Sequence, residues 1–155
     1  MKKLLVLLLF FTVSVFSQTP KELCGSWQAA PNVAAGYDDT FTFNEDGTFY
    51  YFNNQMDCSK REVGYGGYWE LKGKSIELVI TYYDIEKGGW LEPSDGSCGS
   101  DSMLVGSTIV KVLQFPYDQK ELRLSGFRTE NEDGTDRFTM EINNRKHWYF
   151  SKFEY

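Results

Sequence analysis

A single histidine, three cysteines and four prolines in 155 residues leave this chain short of the residue types that build most catalytic and metal centres. His147 has no local nucleophile and carboxylate arranged around it, so an acid–base triad is not readable. Cys24, Cys58, Cys98 and His147 offer the right atoms for zinc, but none stands at the short spacing that zinc sites use. Asn131 to Asp136 looks like part of a calcium loop, yet the positions that should be acidic hold Thr129 and Met140. The run Gly64, Gly66, Gly67 leads into a strand pattern, whereas a phosphate-binding loop must open a helix. Among 22 acidic residues no pair stands out as glycosidase carboxylates. These absences predict a non-enzyme with no cofactor and no metal.

Clustered Lys and Arg are also missing. The net charge is −6, and it becomes more negative without Lys2 and Lys3. Nucleic acid is therefore excluded as a partner, as is adsorption to anionic membranes. No apolar run reaches the roughly 20 residues of a spanning helix. Met1-Lys2-Lys3, the apolar stretch Leu4 to Phe11 and the small residues ending at Ser17 instead read as a secretory signal peptide over residues 1–17. Residues 18–155 then form one domain, secreted or periplasmic, without stable membrane insertion. Cys24 follows Glu22-Leu23, which lacks the small residues of a lipid-modification site. In an oxidising compartment Cys58 and Cys98, both in polar loop-like stretches, are the expected disulfide. A bridge from Cys24 to either is the alternative; otherwise Cys24 is a small buried hydrophobe.

What the chain has in abundance is aromatics: 12 Phe, 10 Tyr and 4 Trp. Only Phe10, Phe11 and Phe16 fall in the leader. The rest thread through short alternating segments separated by turn residues, the pattern of antiparallel β-structure. The segments are 25–29, 40–43, 48–52, 67–71, 75–82, 105–115, 121–126, 136–143 and 146–153. Asn44-Glu45-Asp46-Gly47 and Lys72-Gly73-Lys74 make tight turns. Alternation sets Trp69 and Leu71 on one face of their strand, and Ile76, Leu78, Ile80 and Tyr82 on one face of the next. The stretch from Asp84 to Asp101 reads as a long Gly- and Asp-rich loop, functional or held by its cysteine. Short connections favour next-neighbour pairing, and closure removes sheet edges. An up-and-down barrel of eight or nine strands is the expected architecture, with a two-sheet sandwich as competitor.

Gly25-Ser26-Trp27, the hairpin Phe41 to Phe49, and Gly67-Tyr68-Trp69-Glu70-Leu71-Lys72-Gly73 followed by Ile76-Glu77-Leu78 together resemble the lipocalin-like family of small secreted bacterial domains, within the calycin-type barrels. The resemblance covers the first third to half of the mature chain. It implies an eight-stranded barrel whose interior holds a small apolar molecule, and it implies no enzyme. It also implies that Trp27 closes the barrel floor beside an arginine, for which Arg137 and Arg145 are the nearest candidates. Thr81-Tyr82-Tyr83-Asp84 departs from the Thr-Asp-Tyr order of animal lipocalins.

The expected function is non-enzymatic binding of an apolar or amphipathic ligand. Phe49, Tyr51, Trp69, Leu78, Ile80, Tyr82 and Trp148 would line the site, under the 84–101 loop. Trp27 would be core at the closed end. The alternative is a cell-envelope interaction module or accessory subunit using Trp90 and Tyr117, or the outer faces of Tyr50 and Phe52.

Overall fold

The computed structural model describes residues 20–31, 38–96, 98–132 and 134–150. Residues 1–17, expected to be a signal peptide, lie outside them. One helical turn, α1 (Pro20–Leu23), precedes eight strands: β1 (Gly25–Gln28), β2 (Thr40–Phe43), β3 (Thr48–Phe52), β4 (Glu62–Lys72), β5 (Ser75–Pro93), β6 (Ser102–Glu132), β7 (Thr135–Ile142) and β8 (Arg145–Phe150). Each strand pairs antiparallel with the next, and β1 pairs with β8, so one sheet closes on itself. The two-sheet alternative is thereby overturned.

Alternation decides the core. Trp27, Phe41, Phe43, Phe49, Tyr65, Trp69, Ile76, Leu78, Ile80, Leu122, Leu124, Met140 and Ile142 are buried together. A chain of ring contacts runs through the interior: Phe41–Tyr51 at 4.5 Å, Tyr51–Tyr65 at 4.7 Å, Phe43–Trp69 at 5.2 Å and Phe49–Tyr65 at 6.1 Å. Edge and tilted ring pairs of this kind add to the area they bury.

Three expectations change. The predicted strands 105–115 and 121–126 are both parts of β6. Phe115-Pro116 is cis, and the stretch between Leu113 and Asp118 bulges opposite Thr81, so the turn-like residues swell the strand without ending it. Eight strands result, not nine.

The 84–101 loop is mostly strand as well. β5 continues to Pro93, and only residues 94–101 connect it to β6. Gly89 and Gly106 face each other across this hairpin at positive φ, and a Cβ on Gly89 would lie 2.5 Å from the Val105 carbonyl. Glycine there permits close strand approach where the composition suggested a loop. The long loop expected over 84–101 is therefore shortened to this connection.

Tyr82 is the third. The same irregularity around Thr81 shifts the register between Ile80 and Tyr82, which turns Tyr82 to the outer face and Tyr83 inward. Outside, Tyr50 and Tyr82 lie across the glycines of β4. A Cβ at Gly64 would meet the Tyr50 hydroxyl at 2.6 Å, and one at Gly66 the Tyr82 hydroxyl at 2.3 Å. The two rings stack at 6.4 Å, and Lys111 Nζ stands 3.6 Å above the Tyr82 ring. Part of the aromatic richness therefore cloaks a glycine-rich strand.

Cys58 and Cys98 form the disulfide, with Cα atoms 6.0 Å apart, and Cys24 takes no part in a disulfide. The bridge ties the β3–β4 connection to the tip of the β5–β6 hairpin. Backbone bonds from Gly99 N–H to the Met56 carbonyl (2.7 Å) and from Leu104 N–H to that of Cys58 (2.9 Å) accompany it. This pairing is compatible with an oxidising compartment. Among the described residues no helix is long and apolar enough to cross a membrane.

Candidate functional site

At the end of the ring that carries α1, a cleft of about 840 Å³ is bordered by Trp27, Leu124, Gly126, Phe127, Phe138 and Tyr149. Glu22, Gly73, Lys74, Ser125, Arg128 and Thr129 complete its rim. The local sequence explains why it forms. Gly126, at positive φ, and Phe127 together face the stretch of β7 between Thr139 and Glu141, so β6 and β7 lose register there. Such a bulge re-aims a side chain. Phe127 turns its ring edge-on to Trp27 at 6.0 Å, while Phe138 across the break stays 63% exposed.

Trp27 anchors the floor. Its indole Nε1 donates to the Leu23 carbonyl at 2.8 Å, tying α1 to the ring, and its face meets Tyr149 at 5.1 Å. The Tyr149 hydroxyl donates to the Cys24 carbonyl at 3.3 Å. Gly25 is required beneath that ring, because a Cβ there would lie 2.4 Å from a Tyr149 ring carbon. Trp27 is 1% exposed. The arginines suggested as its neighbours go elsewhere: Arg137 over Phe150 and to the Pro31 carbonyl, and Arg145 to Asp38 and Asp39.

Among the described residues the cleft lining contains no histidine or cysteine. Its charged groups stand at the rim, where Arg128 pairs with Glu130. Concave, mostly apolar walls with a few polar groups are the usual form of a small-molecule site.

A second constellation occupies the same interior farther along the strands. Tyr51, Tyr65 and Tyr83 stand side by side on β3, β4 and β5, with Tyr65–Tyr83 at 5.7 Å. The Lys120 ammonium donates to the Tyr65 hydroxyl at 3.0 Å, and the Tyr83 hydroxyl donates to Asp118 at 2.9 Å. Burial raises the pKa of Tyr65, with Glu62 and Asp39 adding to it. Burial and then the Asp118 carboxylate push Tyr83 up to about 12. Burial opposes ionisation of Asp39, but hydrogen bonds from the Asn54 N–H, Tyr51 and Arg145 outweigh it and hold the carboxyl below its ordinary range. His147 is buried beside Phe41, and its Nδ1 donates to the Arg145 carbonyl at 2.8 Å. Burial, which disfavours the charged ring, pushes its pKa down.

The residues expected to line a ligand site are divided by the structure. Phe49, Trp69, Leu78 and Ile80 are buried in the aromatic and aliphatic core, and Tyr51 is half-buried within it. None of the five borders the 840 Å³ cleft. Tyr82 is on the outer face. Trp148 stands opposite His147 and Tyr149 in strand alternation, beside its cross-strand partners Gln28 and Thr139, both buried. It too is absent from the interior. Its direction reverses the expectation because β8 pairs with β1 in the register that sets Tyr149 against Trp27.

Leu124, Phe127 and Phe138 were not anticipated. One signal for them was present: Leu122 and Leu124 alternate, and Gly126-Phe127 then falls out of phase. Of the residues suggested for protein contact, Trp90 is 58% and Tyr117 55% exposed, both within strands.

The fold and cleft define a class: an all-β protein of eight antiparallel strands in a single closed sheet, with an apolar recess at one end. Comparison with protein families, with curated proteins and with solved structures returns no match for the chain.

Proposed function

We propose that this is a secreted, lipocalin-like, non-enzymatic binding protein for a small apolar or amphipathic molecule, which it holds in the cleft between Trp27 and Phe138. The observation that carries the reading is the cleft itself, an apolar recess of about 840 Å³ kept open by the Gly126-Phe127 bulge. The lipocalin-like assignment is supported by the order of eight consecutive antiparallel strands, with Gly25-Ser26-Trp27 opening the first and Trp27 buried at one end. Export is supported by the leader pattern and by the disulfide.

A neutral fluorophore that brightens out of water, such as N-phenyl-1-naphthylamine, tests it. The expected result is saturable one-to-one binding that Phe138→Asp weakens by about tenfold, through loss of the apolar area a bound ligand would cover. Phe138 is largely exposed, so the substitution leaves the fold intact. Unsaturable binding, or affinity unchanged by Phe138→Asp, would defeat the reading.

The alternative, an envelope interaction module, draws on the bulge of β6, where Leu113 is 79% and Phe115 86% exposed. Patches of this kind mark contact surfaces. Light scattering and pull-down from envelope extract that find only a partner-free monomer would remove it.

A further inference from the structure

We infer that Lys120 and Tyr65 form an anion site inside the ring, separate from the cleft, that takes a small aromatic carboxylate. Strand register puts Lys120 on the inward face, because its cross-strand partner is Leu78, which is 1% exposed. Yet Lys120 itself is exposed while its ammonium bonds to the hydroxyl of buried Tyr65. The interior therefore opens to solvent at this point. The topology supplies the opening. From Val105 to Leu122, β6 pairs with β5 alone among the described residues, and pairing with β7 starts only at Leu124.

Charge accounting sets the class of ligand. The carboxylates nearby are engaged: Asp118 by the Tyr83 hydroxyl, Glu62 by Asn53 Nδ2 at 2.9 Å, and Asp39 by Arg145 and the Asn54 N–H. Among the described residues no carboxylate pairs with Lys120, whose contacts are the Tyr65 hydroxyl and the faces of Tyr51 and Tyr65 at 5.9 and 5.4 Å. An ammonium has three donors, and this one uses a single hydrogen bond. The Tyr65 oxygen accepts that bond, which leaves its own O–H to donate. Two donor groups 3.0 Å apart, one of them charged, suit the two oxygens of a carboxylate. The rings of Tyr51, Tyr65 and Tyr83, tilted to one another by 33° and 53°, give the rest of the ligand an aromatic wall.

Titration of the whole purified protein with benzoate, followed by calorimetry and by amide NMR, tests this. Saturable binding in about the millimolar range is expected, with shifts centred on residues 65, 83 and 120. Lys120→Met should weaken it by about tenfold or more, and Tyr65→Phe by several-fold, as loss of charged and neutral hydrogen bonds predicts. Benzyl alcohol, with the same ring and no charge, should bind far more weakly, and Phe138→Asp should leave benzoate binding unchanged. Absence of saturable binding, shifts centred on Phe127 and Phe138, or full affinity in Lys120→Met would each overturn the inference. Should Lys120→Met fail to fold, Tyr65→Phe and the shift map of the unaltered protein still decide it.

Discussion

Removing the Cys58–Cys98 bridge is the perturbation whose size follows most directly from the fold. The two cysteines are 40 residues apart in sequence. Chain-entropy arithmetic for a loop of that length gives about 4 kcal/mol of stabilisation through restriction of the unfolded chain. A domain of this size holds roughly 5–15 kcal/mol in all, so the loss is a large fraction of it. At about 3 °C per kcal/mol, the midpoint of thermal unfolding should drop by roughly 10–15 °C. The double substitution Cys58→Ala, Cys98→Ala is preferable to reduction, since it leaves no thiol to react with Cys24. Urea unfolding of both proteins, followed by tyrosine and tryptophan fluorescence, supplies the free energies. Hydrogen exchange supplies the location: the Gly99 and Leu104 amides, which donate to the Met56 and Cys58 carbonyls, should lose protection first. The 840 Å³ cleft borders on neither cysteine, so fluorophore binding should persist in the folded variant. A loss below about 1 kcal/mol would refute the entropic reasoning, showing that the two segments stay together in the unfolded chain without the bond.

Two further expectations rest on single residues. His147 is buried with its pKa held down, so the unfolded chain takes up its proton first as pH falls. Stability should decline as pH drops through about 6.5, the ordinary histidine value, and level off below the folded-state pKa; His147→Gln should flatten urea midpoints compared between pH 7.5 and 5.5. Gly67→Ala should unfold the protein or strip most of its stability, because the added Cβ would lie 2.0 Å from the Val79 carbonyl; circular dichroism of a well-folded variant at the parent's midpoint would contradict that.

Much of the architecture was legible because strand periodicity is a local property. Thr40–Phe43, Thr48–Phe52 and the inward set Ile76, Leu78 and Ile80 needed only alternation and the turns at Gly47 and Gly73. Cys58–Cys98 was legible from loop composition. The errors arose where one residue of register mattered. Tyr82 follows Ile80 by the same interval that separates Ile80 from Leu78, yet the irregularity at Thr81 sends it outward. The inward Lys120 was within reach of the same reasoning, since it alternates with Leu122 and Leu124, but a lysine in that phase reads as solvent-facing until its partner Leu78 is known.

The amino-acid sequence alone determined an all-β chain, the turns between most strands and the cysteines that pair, because these depend on neighbours a few residues apart. Only the tertiary structure decided which rings share an interior, that Trp27 borders a recess while Phe49 and Leu78 are packed away, and that Lys120 meets Tyr65 from 55 residues along the chain. Those outcomes depend on the register of distant strands and on the bulges that shift it. A shift of a single residue there exchanges the inside of a sheet for its outside.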